Sequence, residues 1–198
     1  MTSLVNLFFL TINKYGYKLL LQILFFELIN FYRLRFYDYV TENPISVNYE
    51  PCVPSPYFLL NCVKKNIYKK KTIFIDFGCG KGRALNYFRT YNFKKLIGVE
   101  NNLKLKKYLY KINDSKVDIL FQDCTNNLFI NDLAIKYQSE NLILYFYHPF
   151  SEKILNIIIS FFLTKREKSL EIVILGKIKI SKYNVTKYNL TKKILIIC

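Results

Sequence analysis

An aspartate followed by three glycines at alternate positions is the arrangement in this chain best suited to chemistry. In Phe74-Ile75-Asp76-Phe77-Gly78-Cys79-Gly80-Lys81-Gly82-Arg83, apolar residues carry Asp76 to the end of a strand, and Gly78, Gly80 and Gly82 then turn the chain into a helix. Glycines let main-chain groups approach a ligand with no side chain in between. The pattern predicts a shallow, bare cradle with a carboxylate at its edge.

Spacing separates the ligand classes that use such turns. A phosphate loop needs Gly-x-x-x-x-Gly-Lys followed by Ser or Thr, whereas Lys81 is followed by Gly82 and Arg83. A dinucleotide turn wants Gly-x-Gly-x-x-Gly, and the sixth position here is Arg83. Asp76 also sits where a pyrophosphate of the same sign would lie. A methyl donor such as S-adenosylmethionine carries an ammonium and a sulfonium, and a carboxylate can meet the ammonium by a charge-assisted hydrogen bond.

Ile75-Asp76-Phe77-Gly78-Cys79-Gly80-Lys81-Gly82 resembles the first motif of class I S-adenosylmethionine-dependent methyltransferases, in the compact form with a Gly-Lys-Gly-Arg turn. Three further signals follow in the family's order. Leu96-Ile97-Gly98-Val99-Glu100 ends in an acid about 20 residues downstream, the interval of a ribose-binding carboxylate. Val117–Cys124 fits a third strand with Asp123 at the adenine edge, and Leu142–Phe150 a fourth that ends in Tyr147-His148-Pro149-Phe150. The resemblance covers roughly residues 45 to 198. It implies cofactor contacts from Asp76, Gly78, Cys79, Gly80, Gly82, Glu100, Asn101, Asp123, Cys124 and Tyr49, the last in a Tyr-x-Pro stretch (Tyr49-Glu50-Pro51) that covers the cofactor in relatives.

It also places Tyr147, His148, Pro149 and Phe150 beside the reacting methyl, where relatives carry Asn or Asp before the proline. His148 replaces that residue, which counts against methylation of amino groups on bases. As the sole histidine it is either a general base near neutral pH or a turn residue lining the pocket. Several residues have plainer readings beside these. Asp123 could cap a helix ahead of Thr125, Cys79 and Cys124 could pack as small apolar residues, and Lys81 and Arg83, which could bind the methionine carboxylate or an acidic substrate, read first as a solvated helical turn.

The 30 basic against 14 acidic residues give a net charge of +16, which invites an RNA substrate. The joint abundance of Lys, Asn, Ile, Tyr and Phe is also what an A+T-rich coding sequence produces, so the charge alone does not decide. The acceptor is expected to be a protein lysine or RNA; the alternative is a non-catalytic cofactor-binding protein or a membrane-tethered interaction module. Five cysteines with no Cys-x-x-Cys and one histidine point to a reducing cytosol and no metal.

These residues need a scaffold. Apolar strands at 72–77, 96–100, 117–121, 141–147 and 171–175 alternate with helices at 57–65, 81–91, 102–112, 126–138 and 152–163. Such alternation implies a Rossmann-like α/β domain over 57–198, a mostly parallel sheet with helices on both faces. Runs at 183–190 and 193–197 lack an intervening helix and read as a C-terminal antiparallel hairpin. Residues 1–56 form an N-terminal helical segment and a proline-containing linker. Its apolar runs, Leu4–Ile12 and Leu19–Ile29, are shorter than a bilayer span. They are expected to pack on the domain, or to touch a membrane surface through residues 4–35, with Lys14, Lys18, Arg33 and Arg35 at the flanks.

Overall fold

The computed structural model describes residues 17, 21–22, 24–30, 54–67, 71–147, 151–165, 167–175 and 192–197, the last with residue 66 as backbone alone. Among the described residues six strands form one parallel sheet in the order β3-β2-β1-β4-β5-β6. They are β1 (Thr72–Phe77), β2 (Lys95–Glu100), β3 (Val117–Phe121), β4 (Asn141–Tyr147), β5 (Leu170–Leu175) and β6 (Lys192–Ile197).

Alternation along the strands sorts the core into two layers. Phe74, Leu96, Val117, Ile143, Tyr145 and Val173 face helices α2 (Tyr57–Asn66), α3 (Arg83–Arg89) and α4 (Lys106–Leu109). Ile73, Ile75, Phe77, Leu144, Phe146 and Ile172 face α5 (Asn127–Lys136) and α6 (Glu152–Thr164). Both faces of the central strands are buried, which is why β1 and β4 read as apolar runs with little polar alternation. Helix α1, described at 17, 21–22 and 24–30, meets the first layer through Phe26, whose ring lies edge-on to Phe58 of α2. Among the described residues no helix is long and apolar enough to cross a membrane.

Two expectations are corrected. The C-terminal strand does not close the sheet antiparallel to its described neighbour: β6 runs parallel to β5, pairing Leu170 with Lys192 through Leu175 with Ile197. A parallel pair needs a crossover of about a dozen residues or more, and 176–191 is long enough to make one. Apolar periodicity carries no strand direction, so it could not separate the two outcomes. The run 183–190 lies outside the described residues. The helix expected at 102–112 is instead a 3₁₀ turn at Leu103–Leu105 followed by α4. Lys104, Lys107 and Lys111 recur three and four residues apart with no acid between them, and like charges at those spacings oppose a longer helix.

Gly98 shows how tightly the first layer closes on the cradle. A Cβ there would stand 2.6 Å from Leu85 Cδ1, 2.8 Å from Cys79 Sγ and 3.0 Å from Ile119 Cδ1. Gly98→Ala is therefore expected to lower stability by about 1–3 kcal/mol, read as a drop in the urea midpoint with an unchanged slope.

Candidate cofactor site

The strand order reverses between β1 and β4, and in open parallel sheets the ligand crevice lies outside the carboxyl ends of the strands at that switch. Asp76 sits there, one residue before the end of β1, paired in register with Gly98 on one side and Tyr145 on the other. It is 3% exposed, and no described residue donates a hydrogen bond to its carboxylate. Burial, with the Glu100 carboxylate nearby, pushes its pKa well above the usual range. A buried acid that receives neither donor nor cation is costly to ionise.

The glycines then lift the chain over that acid. Gly78, Gly80 and Gly82 have φ of 72°, 56° and 81°, left-handed values that side chains resist. The Gly78 and Cys79 N–H groups both donate to the Val99 carbonyl, at 2.9 and 3.1 Å, which ties the turn to the end of β2. The Gly82 N–H closes the bend on the Cys79 carbonyl at 2.8 Å. A Cβ on Gly82 would fall 2.3 Å from Ile112 Cδ1, so the residue also seats α3 against the chain after α4.

Glu100 ends β2 and reaches back to this turn. Its Oε2 accepts from the Gly80 N–H at 2.8 Å and its Oε1 from the Asn102 N–H at 2.9 Å. Burial raises its pKa, against the pull of the Gly80, Asn101 and Asn102 amides. With three amides on its two oxygens, the carboxylate keeps room for one further donor. The loop after β3 closes the same side. Asp123 Oδ1 accepts from both the backbone N–H and the hydroxyl of Thr125, at 2.8 Å each. The cap of α5 is Asn126, whose Oδ1 takes the Leu128 and Phe129 amides. Cys124 is buried; its thiol is pushed up by burial and by Glu100 and Asp123, and the Gly78 N–H points toward it. It stays a thiol, as does any buried cysteine in such company.

Tyr147 ends β4, half-buried, its phenol pushed up to about 12 mainly by burial, with Arg83 and Glu27 close by. His148, Pro149, Phe150 and Tyr49 lie outside the described residues. Lys81 and Arg83 are not solvated: both are buried. The Lys81 ammonium lies 4.6 Å over the Tyr108 ring. Arg83 Nη1 donates to Glu27 Oε2 of α1 at 3.0 Å and to the Ser55 carbonyl at 3.3 Å, its guanidinium stacked on Tyr57. The Tyr145 hydroxyl donates to Ser55 Oγ at 2.8 Å. Residues from α1, the 54–56 segment and α2 are thus tied through Ser55 to Tyr145, the register neighbour of Asp76. Sequence reasoning missed Glu27, Ser55 and Tyr145. For Tyr145 a signal existed: it shares the face of Asp76 and stands two residues before Tyr147.

No family of known proteins matches the chain, and no curated protein does. Among solved structures it is similar to a SAM-dependent methyltransferase from Anabaena variabilis, with 12% identity and a TM-score of 0.43 over 56% of this chain and 46% of that one. It is also similar to an S-adenosylmethionine-dependent methyltransferase from Clostridium acetobutylicum, with 14% identity, a TM-score of 0.37, and 56% and 44% of the two chains covered. A third is coclaurine N-methyltransferase bound to N-methylheliamine and SAH, with 15% identity, a TM-score of 0.37, and 75% and 49% covered. The chain spans less than half the length of each. Similarity this distant carries no functional argument.

Proposed function

We propose that this protein binds S-adenosylmethionine and transfers its methyl group to an acceptor. The observation that carries the reading is Asp76: a buried carboxylate beside a second one, with no partner among the described residues, at the mouth of a glycine-lined bend. A ligand that brings its own ammonium relieves that charge. Glu100 would offer its remaining acceptor site to a ribose hydroxyl, and Asp123 with Cys124 would meet the adenine edge. Asn101 and the bare backbone of Gly78, Cys79, Gly80 and Gly82 complete the cradle.

When bound, S-adenosylmethionine supplies a methyl group already activated by a sulfonium leaving group. The task of the chain is therefore alignment and exclusion of water. Tyr145, held through its hydroxyl by Ser55, would help keep water from its register neighbour Asp76. Tyr147, neutral because burial holds its phenol up, can donate a hydrogen bond to an acceptor but cannot take its proton. His148, followed by Pro149 and Phe150, is the candidate base. The acceptor is a nucleophile with a free electron pair, a protein lysine or an RNA atom.

One observation favours a second reading. The order β3-β2-β1-β4-β5-β6 is also that of dinucleotide-binding folds, which carry an acid at the end of the second strand. Asp76 separates the two, because a pyrophosphate repels it and an ammonium does not. Calorimetry decides. S-adenosylmethionine and S-adenosylhomocysteine are expected to bind roughly 100-fold more tightly than NAD⁺, and preference for NAD⁺ overturns the reading. Transfer of a tritiated methyl group into lysate, followed by nuclease or protease treatment, names the acceptor class. Tight binding with no labelled product leaves a binding protein that does not catalyse.

A further inference from the structure

Helix α1 turns one side to the domain and the other to solvent. Phe26 packs on Phe58, Glu27 pairs with Arg83, and Asn30 is buried. Tyr17, Leu21, Leu24, Phe25, Leu28 and Ile29 are exposed, Leu21, Phe25 and Leu28 by 58–61%. Their spacing of three, four and one is that of a single helical face. Six large apolar side chains on one stripe far exceed the scattered exposed leucines of an ordinary surface.

Among the described helices on this face of the sheet the charge is one-sided. The helices on this face of the sheet, α2, α3 and the 103–109 segment, carry Lys64, Lys65, Lys104, Lys106 and Lys107 and no acid, besides Arg83 and Arg89, which are paired with Glu27 and Asp114. In α1 the described acid is Glu27, which is held by Arg83. The helices of the opposite face are balanced, Asp132 with Lys136 in α5 and Glu152 with Lys153 in α6. Lys65, Lys104, Lys106, Lys107 and Lys111 are exposed. In the sequence Lys14, Lys18, Arg33 and Arg35 flank the stripe.

We propose that α1 lies in the surface of a membrane rich in anionic headgroups, its apolar stripe among the acyl chains and the basic face against the phosphates. This does not rest on the methyl-transfer reading. The combination selects the occupant. An RNA would engage the lysines and leave Phe25 and Leu28 in water. A second copy docked about a twofold axis would bring the same basic patch against itself. A bilayer satisfies both, apolar area and cations adding their contributions. The Glu27–Arg83 pair fixes the rotation of the helix, so the stripe faces outward before any membrane is met.

Flotation of the full-length protein tests this, using phosphatidylcholine vesicles with and without about 30% phosphatidylglycerol. The protein is expected to float with the anionic vesicles, less so at high salt, and Leu24→Glu with Leu28→Glu should cut partitioning at least tenfold while leaving calorimetric binding of S-adenosylmethionine unchanged. The chain has no tryptophan, so Phe25→Trp is a clean reporter whose emission should shift to the blue on the same vesicles. Absence of flotation, equal flotation of the double variant, an unshifted Phe25→Trp spectrum, or a dimer that the double substitution dissolves would each overturn the proposal.

Discussion

Replacing Asp76 by Asn is expected to cost S-adenosylmethionine binding roughly 10- to 100-fold while making the empty protein harder to unfold. The two effects share one cause. An ionised carboxylate that meets an ammonium is worth about 1.5–3 kcal/mol more than the neutral amide. In the empty protein the same carboxylate is buried, faces Glu100 and has no donor among the described residues. Asn keeps the shape and removes the charge, so the cost of holding it disappears. Stability surrendered for a charged site is the usual trade at a binding centre. Equal loss of binding and of stability in Asp76→Asn would instead make Asp76 a structural residue.

The pH dependence carries the sign. Folding raises the pKa of Asp76 above its unfolded value, so its cost is absent at acid pH, grows once the unfolded chain ionises, and is complete above the folded pKa. The stability advantage of Asp76→Asn should accordingly vanish in acid and widen toward alkaline pH. A bound cation favours the ionised form and lowers the pKa again. Uptake of S-adenosylmethionine should therefore release a proton, measurable as a dependence of calorimetric heat on the ionisation enthalpy of the buffer. Affinity should weaken as the pH falls through the pKa of the free site. Asp76→Asn should show neither effect.

The strands and helices were legible because both faces of the central strands are buried. Continuous apolar runs such as Leu142–Phe146 leave little choice but a buried parallel strand, and the glycines that must adopt positive φ announce the turn beside Asp76. What periodicity could not convey was direction, so β6 was expected to return antiparallel. Contacts between segments distant in sequence were equally hidden. Arg83 reads as the exposed first turn of a helix until Glu27, 56 residues earlier, is brought against it. Ser55 reads as part of a proline-rich linker, and only the fold sets it under the Tyr145 hydroxyl, 90 residues away.

That hidden contact leads to the second large effect. Glu27→Gln should lower stability by about 2–3 kcal/mol, below the 3–5 of a fully buried pair because Glu27 is 18% exposed. The carboxylate holds two elements at once, taking the Tyr57 amide at 2.6 Å on Oε1 and Arg83 on Oε2. Gln can still accept from Tyr57 but leaves the buried guanidinium without its counter-charge. Arg83→Met in the same background should recover part of the loss, with a coupling energy above about 1 kcal/mol in the double-mutant cycle. The consequence reaches the site through Ser55, which accepts from Arg83 on its carbonyl and from Tyr145 on its hydroxyl. Loosening the hold of Ser55 on Tyr145, the neighbour of Asp76, should admit water to that carboxylate, lower its pKa, and move the pH midpoint of S-adenosylmethionine binding to more acid values. If Glu27→Gln loses stability yet leaves that midpoint in place, α1 braces the domain without sheltering the carboxylate. A shifted midpoint makes the same pair both the latch of the helix and the seal of the site.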